Sequence, residues 1–148
     1  MYPQGARSKF GRKAPVFEAH EPSTLLIVED QELLAQHMGA LAADLGWSAE
    51  IAGTVRAVER LLEEGHPSVL VLDLGLPDGD GVELLRYLSR RGYRGSIIIV
   101  SSCGDDILEA CSRLANELGL EVAGRARKPI TAVRFAELLG QSRPESKH

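Results

Sequence analysis

Five times along this chain a short apolar stretch is followed by a helical pattern, and the two kinds of stretch differ. Thr24–Val28, Val69–Leu72 and Ile97–Val100 are continuously apolar. Trp47–Ala52 and Leu120–Ala123 alternate apolar with small or polar residues. Parallel strands covered on both faces read as unbroken apolar runs, whereas strands at a sheet edge need not. The second and fifth strands are therefore expected at the edges. The flavodoxin-like order 2-1-3-4-5 meets that condition; the order 3-2-1-4-5 would leave the apolar third strand at an edge. The expected fold is an α/β, doubly wound, five-stranded parallel sheet with five helices.

The helical faces are read from spacing and stop signals. Leu34, Met38, Leu41 and Leu45 share one face, ahead of Gly46. Thr54 is placed to cap a helix carrying Val55, Val58 and Leu62, which stops at Gly65. Val82–Leu88 makes a third helix, ended by Arg90, Arg91 and Gly92. Ile107, Cys111, Leu114 and Leu118 mark a fourth, and Thr131 opens a fifth with Val133, Leu138 and Leu139.

A length of 148 residues fits one domain with a sizeable core. No apolar run approaches the roughly 20 residues of a membrane span, and no apolar leader is present. Cys103 and Cys111 offer neither a disulfide framework nor zinc-ligand spacing, which is read as a reducing, cytoplasmic setting. Residues 1–22 carry a formal +2 and the remainder −6. The first 22 residues, rich in Gly, Pro and scattered charge, are expected to be a flexible arm. The domain is expected over 23–141, followed by a tail over 142–148. The acidic balance speaks against direct nucleic-acid binding.

In the expected order, strands one and three are neighbours. Glu29 and Asp30 leave the end of strand one, and Asp73 leaves the end of strand three. Open α/β sheets bind ligands beyond the carboxyl ends of their strands. Three carboxylates in one crevice raise one another's pKa or require a cation. A hard divalent ion with oxygen ligands, such as magnesium, answers that requirement. Ser101 follows strand four. Lys128 follows strand five and is the only lysine between residues 14 and 146; a compact ammonium suits a phosphoryl oxygen. Each residue has a plainer reading: Asp73 as a turn starter, Glu29-Asp30 as the first turn of a helix, Ser101 as a cap, Lys128 as a surface residue. Their joint position after successive strand ends favours a site.

The chain resembles the receiver domain of bacterial two-component response regulators over roughly residues 23 to 141. The resemblance rests on Leu-Leu-Ile-Val-Glu29-Asp30, Leu-Asp73-Leu-Gly-Leu-Pro77-x-x-Asp80-Gly81, Ile-Val-Ser101-Ser102 and Lys128-Pro129. It implies that Asp73 accepts a phosphoryl group from a histidine kinase or phosphotransfer protein. It further implies that Asp30 binds magnesium directly, Glu29 through water and Gly75 through its carbonyl, with Asp73 also a ligand. Ser101 and Lys128 would contact the phosphoryl group, and Lys128-Pro129 would be cis. The domain would be no enzyme acting on a separate substrate, though it would assist its own phosphorylation and dephosphorylation. A downstream output protein or domain would read the face of helix four, strand five and helix five, through which a homodimer could also form. Neither a nucleic acid nor a membrane is an expected partner.

One departure stands out: where receivers carry Tyr or Phe, three residues before the lysine, this chain has Arg125. The alternative is a phosphate-independent pseudo-receiver acting as an interaction module. A calcium loop at Asp78-Gly79-Asp80-Gly81 fails, since alignment on Gly81 puts Leu76 and Tyr87 at the first and last ligand positions. A nucleotide-binding enzyme lacks both glycine-rich phosphate motifs.

Overall fold

The computed structural model describes residues 23–142; the expected arm over 1–22 and residues 143–148 lie outside it. In chain order the elements are β1 (Ser23–Val28), α1 (Glu32–Asp44), β2 (Trp47–Ala52), α2 (Val55–Glu64), β3 (Val69–Leu72), β4 (Gly75–Leu76), β5 (Gly79–Asp80), α3 (Gly81–Arg91), β6 (Ser96–Ser101), α4 (Asp105–Glu117), β7 (Glu121–Arg127) and α5 (Ala132–Ser142). The main sheet is parallel, in the order β2-β1-β3-β6-β7. Renumbered over the five long strands this is 2-1-3-4-5, as the two kinds of apolar stretch require. The tiny antiparallel hairpin β4–β5 was not expected; the sequence there reads only as a loop.

Continuous apolarity in the three central strands supplies two separate cores, because successive side chains point to opposite faces. Leu26, Val28, Leu70, Leu72, Ile97 and Ile99 pack with the helices α2, α3 and α4. Leu25, Ile27, Val69, Val71, Ile98 and Val100 pack with α1 and α5. Each fully buried side chain of this size contributes roughly 1.5–3 kcal/mol, so neither face can be left uncovered.

Local signals set the helix ends. The Thr54 hydroxyl accepts the Ala57 amide at 3.0 Å, and the Asp80 carboxylate accepts the Glu83 amide at 2.8 Å. Gly92 closes α3 with φ +76, a conformation that other residues adopt at a cost.

Three apolar assignments need correction. Leu45 lies beyond the last turn of α1 and is exposed, while the small Ala35 and Ala42 fill the seam beside Met38. The buried face of α4 is Leu108, Cys111, Ser112 and Ala115, turned by one residue from the expected Ile107 face; Ile107 is 53% exposed. Val133 is 69% exposed, and Phe135, absent from the expected face, is buried in one cluster with Leu138 and the sheet. The last helix also runs through Gln141 and Ser142, where the Ser142 hydroxyl bonds back to the Leu138 carbonyl at 2.7 Å.

Candidate functional site

Strand register brings the candidate residues together. β1 and β3 pair through Val28 and Leu72, so the next residues, Glu29 and Asp73, emerge side by side. The Asp73 amide completes the ladder on the Val28 carbonyl at 3.0 Å. β6 pairs with β7 out to Ser101 and Arg127, and the Lys128 amide bonds to the Ser101 carbonyl at 2.9 Å. Four strand ends thus deliver one acid pair, one acid, one hydroxyl and one ammonium to the same rim.

The Lys128 ammonium donates to Glu29 Oε1 at 2.7 Å and to Asp73 Oδ2 at 3.1 Å. Asp73 Oδ1 accepts the Gly75 amide at 3.1 Å, and Glu29 Oε2 accepts the Gln31 amide at 3.1 Å. Glu29 and Asp73 are buried, Asp30 is exposed, and a carboxylate oxygen of each lies within 4.8 Å of the others. Burial pushes the Glu29 carboxyl above its usual value, and the neighbouring Asp73 charge pushes the same way; the bonds from Lys128 and the Gln31 amide offset only part of this. Burial alone would lower the Lys128 pKa, but its bonds to Glu29 and Asp73 outweigh that and raise it. The two directions agree once the ammonium is seen to be shared: it gains two partners, while each acid gains half of one. Three carboxylates against one ammonium leave the cluster formally two charges negative, which one divalent cation would balance.

The cluster opens into a cavity of about 590 Å³ lined by Asp30, Asp73, Gly75, Ser101, Cys103 and Lys128, with Ile107 and Cys111 on its apolar side. The donors are all hard oxygens, and the exposed Asp30 lines the cavity, so the residues fit a magnesium-type ion. The Ser101 hydroxyl is buried and accepts only a long bond from the Cys103 amide, 3.4 Å. The Lys128–Pro129 peptide is cis. Arg125 is exposed on β7, and Asp105 pairs with Arg127, 3.9 Å away, which sequence reasoning passed over. Two further polar roles were also missed. The Gln31 amide holds Glu29, and the Asp78 carboxylate reaches across to the start of α2. Bonds to backbone amides leave no trace in residue spacing.

Residues 25–131 match the response regulator receiver domain. The chain belongs to this family. Receiver domains are the phosphoacceptor modules of two-component signalling, and nothing in this site favours a phosphate-independent role. The transcriptional regulatory protein BasR of Escherichia coli (strain K12) is 40% identical to this receiver over 78 residues, covering 53% of this chain and 35% of BasR. The virulence transcriptional regulatory protein PhoP of Salmonella typhimurium (strain LT2) is 32% identical over 95 residues, covering 55% of this chain and 42% of PhoP. The matches span less than half the length of these relatives. Solved structures share the receiver fold. They include a CheY-like response regulator receiver domain protein from Methanospirillum hungatei, with TM-score 0.70 and 22% identity over 81% of this chain and 96% of that one. Another is the signal receiver domain of an HD domain-containing protein from Pseudomonas fluorescens, with TM-score 0.72 and 21% identity over 82% of this chain and 94% of that one.

Proposed function

We propose that Asp73 is the phosphoacceptor of this receiver, charged from the phosphohistidine of a histidine kinase or phosphotransfer protein. The observation that carries the reading is the convergence of three carboxylates, two of which share one ammonium, beside the cavity. A carboxylate oxygen of Asp73 attacks phosphorus in line; the phosphorus–nitrogen bond of the donor breaks, and its electron pair stays with the imidazole. The transition state is loose, so catalysis is positioning and charge stabilisation.

Asp30, Asp73 and the Gly75 carbonyl would hold magnesium directly. Glu29 would act through a water, as the family resemblance implies. When bound, the ion supplies positive charge to the equatorial oxygens of the phosphoryl group. Lys128 must exchange a carboxylate for a phosphoryl oxygen, which its flexible stem allows. Ser101 turns its hydroxyl toward the new acyl phosphate, and its weak present bond leaves it free to do so. A water in line with the same phosphorus would reverse the modification, the self-dephosphorylation expected of the site. The switched face comprises α4, β7 and α5. An output domain or protein, or a second copy of the chain, would read it. No described helix is long and apolar enough to cross a membrane, consistent with work in the cytoplasm.

Incubation with acetyl phosphate and magnesium tests the acceptor. Intact-mass measurement should show one added phosphoryl group, lost when the metal is chelated and absent in Asp73→Asn. Uptake by Asp73→Asn at the native rate would remove Asp73 from this role.

A further inference from the structure

The hairpin that follows the acceptor is tied down at its tip by a residue that touches neither the cluster nor the cavity. Asp78 sits at the turn between β4 and β5. Its Oδ1 accepts the Val55 amide at 2.7 Å and its Oδ2 the Arg56 amide at 3.2 Å. These are the first two amides of α2, which the helix itself cannot satisfy. The third, Ala57, is taken by Thr54. Two caps from different parts of the chain therefore share one helix start. The Val55 amide, with that of Arg56 behind it, holds the Asp78 carboxyl below its usual range.

The contacts around Asp78 close a ring. Within the hairpin Gly75 pairs with Asp80 and Leu76 with Gly79, and the Gly81 amide bonds to the Leu74 carbonyl at 2.9 Å. Gly79 lies so near α2 that a Cβ there would stand 3.0 Å from Val55 Cγ2. On the other side, Gly53, two residues before Val55, packs on the backbone of Glu29 and Asp30; a Cβ there would meet the Glu29 carbonyl oxygen at 3.6 Å. The ring therefore runs from Glu29-Asp30 through Gly53 and the start of α2 to Asp78, along the hairpin to Gly75, and back to Asp73 through the Gly75 amide.

We propose that Asp78 is a positioning residue. By strapping the β4–β5 hairpin to the start of α2, it sets the separation between the two loops that carry Asp30 and Asp73. This rests on the proposed cation site at those loops. A carboxylate is suited to the task because it accepts from two amides at once and favours the positive end of the helix.

The test uses the whole chain and four variants: Asp78→Ala, Asp78→Asn, Thr54→Ala and Asp73→Asn. Asp78→Ala should weaken magnesium affinity about tenfold, the low end of what loss of a supporting partner does at a metal site. Asp78→Asn keeps one acceptor and should fall between Asp78→Ala and the native chain. Thr54→Ala removes a cap from the same helix without loosening the hairpin, so it should lower thermal stability while leaving magnesium affinity within about twofold of native. Calorimetric titration with magnesium alone reads these changes. Amide hydrogen exchange on the metal-free protein gives an independent readout: Asp78→Ala should speed exchange at Gly75 and Gly81, and Thr54→Ala should not. Equal loss of magnesium affinity in Asp78→Ala and Thr54→Ala would overturn the proposal, as would native protection of Gly75 in Asp78→Ala. Failure of the native chain to bind magnesium, or native affinity in Asp73→Asn, would instead count against the cation site, and the exchange measurement would still decide the strap.

Discussion

The two sides of the cavity are built on opposite plans. On the acid side the buried charges are each held twice, Glu29 by Lys128 and the Gln31 amide and Asp73 by Lys128 and the Gly75 amide, and Asp80 is held by the start of α3, while Asp30 is exposed. On the hydroxyl side the contacts are few and long. Ser101 accepts one bond at 3.4 Å. Gly104, at the start of α4, has no side chain to cap it. The Arg127–Asp105 pair is exposed and 3.9 Å apart, and the buried Ser112 hydroxyl has no hydrogen-bond partner. If chemistry needs a fixed place and signalling a movable one, as the proposed function requires, this contrast lays the two on opposite sides of one cavity.

The largest effect should come from the acid side. Lys128→Met leaves two buried carboxylates facing each other and should destabilise the fold by about 3 kcal/mol near neutral pH, measured by denaturant unfolding. The folded Lys128 pKa is raised, so its stabilisation is fully present below the unfolded value and fades only as pH rises through the folded one. The variant's deficit should shrink in acid, where Glu29, its pKa raised by burial, takes up a proton. A deficit unchanged in acid would mean that the loss is packing rather than charge.

Next in size is the ranking of the two acids that leave β1. Asp30→Ala should weaken magnesium binding more than Glu29→Ala, because a charge at contact distance outweighs one acting through water. Equal losses in a metal titration would contradict that ranking. Glu29 also sets a pH dependence. Its folded pKa is raised by burial, so the ionised form costs stability: the fold is favoured below the unfolded value and loses that advantage as pH rises through the folded one. Cation affinity should run the other way, falling in mild acid before an ordinary glutamate would protonate. Glu29→Gln should flatten the acid side of that profile.

On the hydroxyl side the expected effects are structural and small. A guanidinium is costly to bury unpaired, so Arg125 should remain at the surface with and without beryllofluoride at Asp73, while Ser101 and the Cys103 loop move. An Arg125 side chain that turns inward between two such structures would erase the contrast drawn here. Smallest of all, Arg127→Ala should change stability by no more than about 0.5 kcal/mol, as for an exposed pair. A larger loss would mean that α4 is held more firmly than its contacts indicate.

The sheet order was legible because burial on two faces leaves a mark on composition: a strand that serves two cores cannot alternate. The cluster was legible for a related reason, since charge placed directly after such strands stands out. Helix faces were harder. Ile107 and Leu108 are equally apolar, and only packing against β6 and β7 decides which is buried. Phe135 was hidden beside Val133 in the same way. Small residues such as Ala35 and Ala115 form seams that a search for large apolar side chains overlooks. Asp78 was least legible, because in sequence it is one more acid in a glycine-rich loop and its partners are backbone amides 22 and 23 residues away.

The Lys128–Asp73 contact spans 55 residues of chain and joins the loops after β3 and β7. Long-range pairings of this kind form late, after the intervening loops have paid their closure entropy. During synthesis Asp73 and its flanking acids leave the ribosome well before the lysine that shares their charge. A chain halted before β7 would hold Glu29, Asp30 and Asp73 without Lys128, and with an unpaired edge on β6. Such an intermediate could carry the acids but not the finished pocket, so under the proposed reading phosphate uptake at Asp73 would require the chain through Lys128.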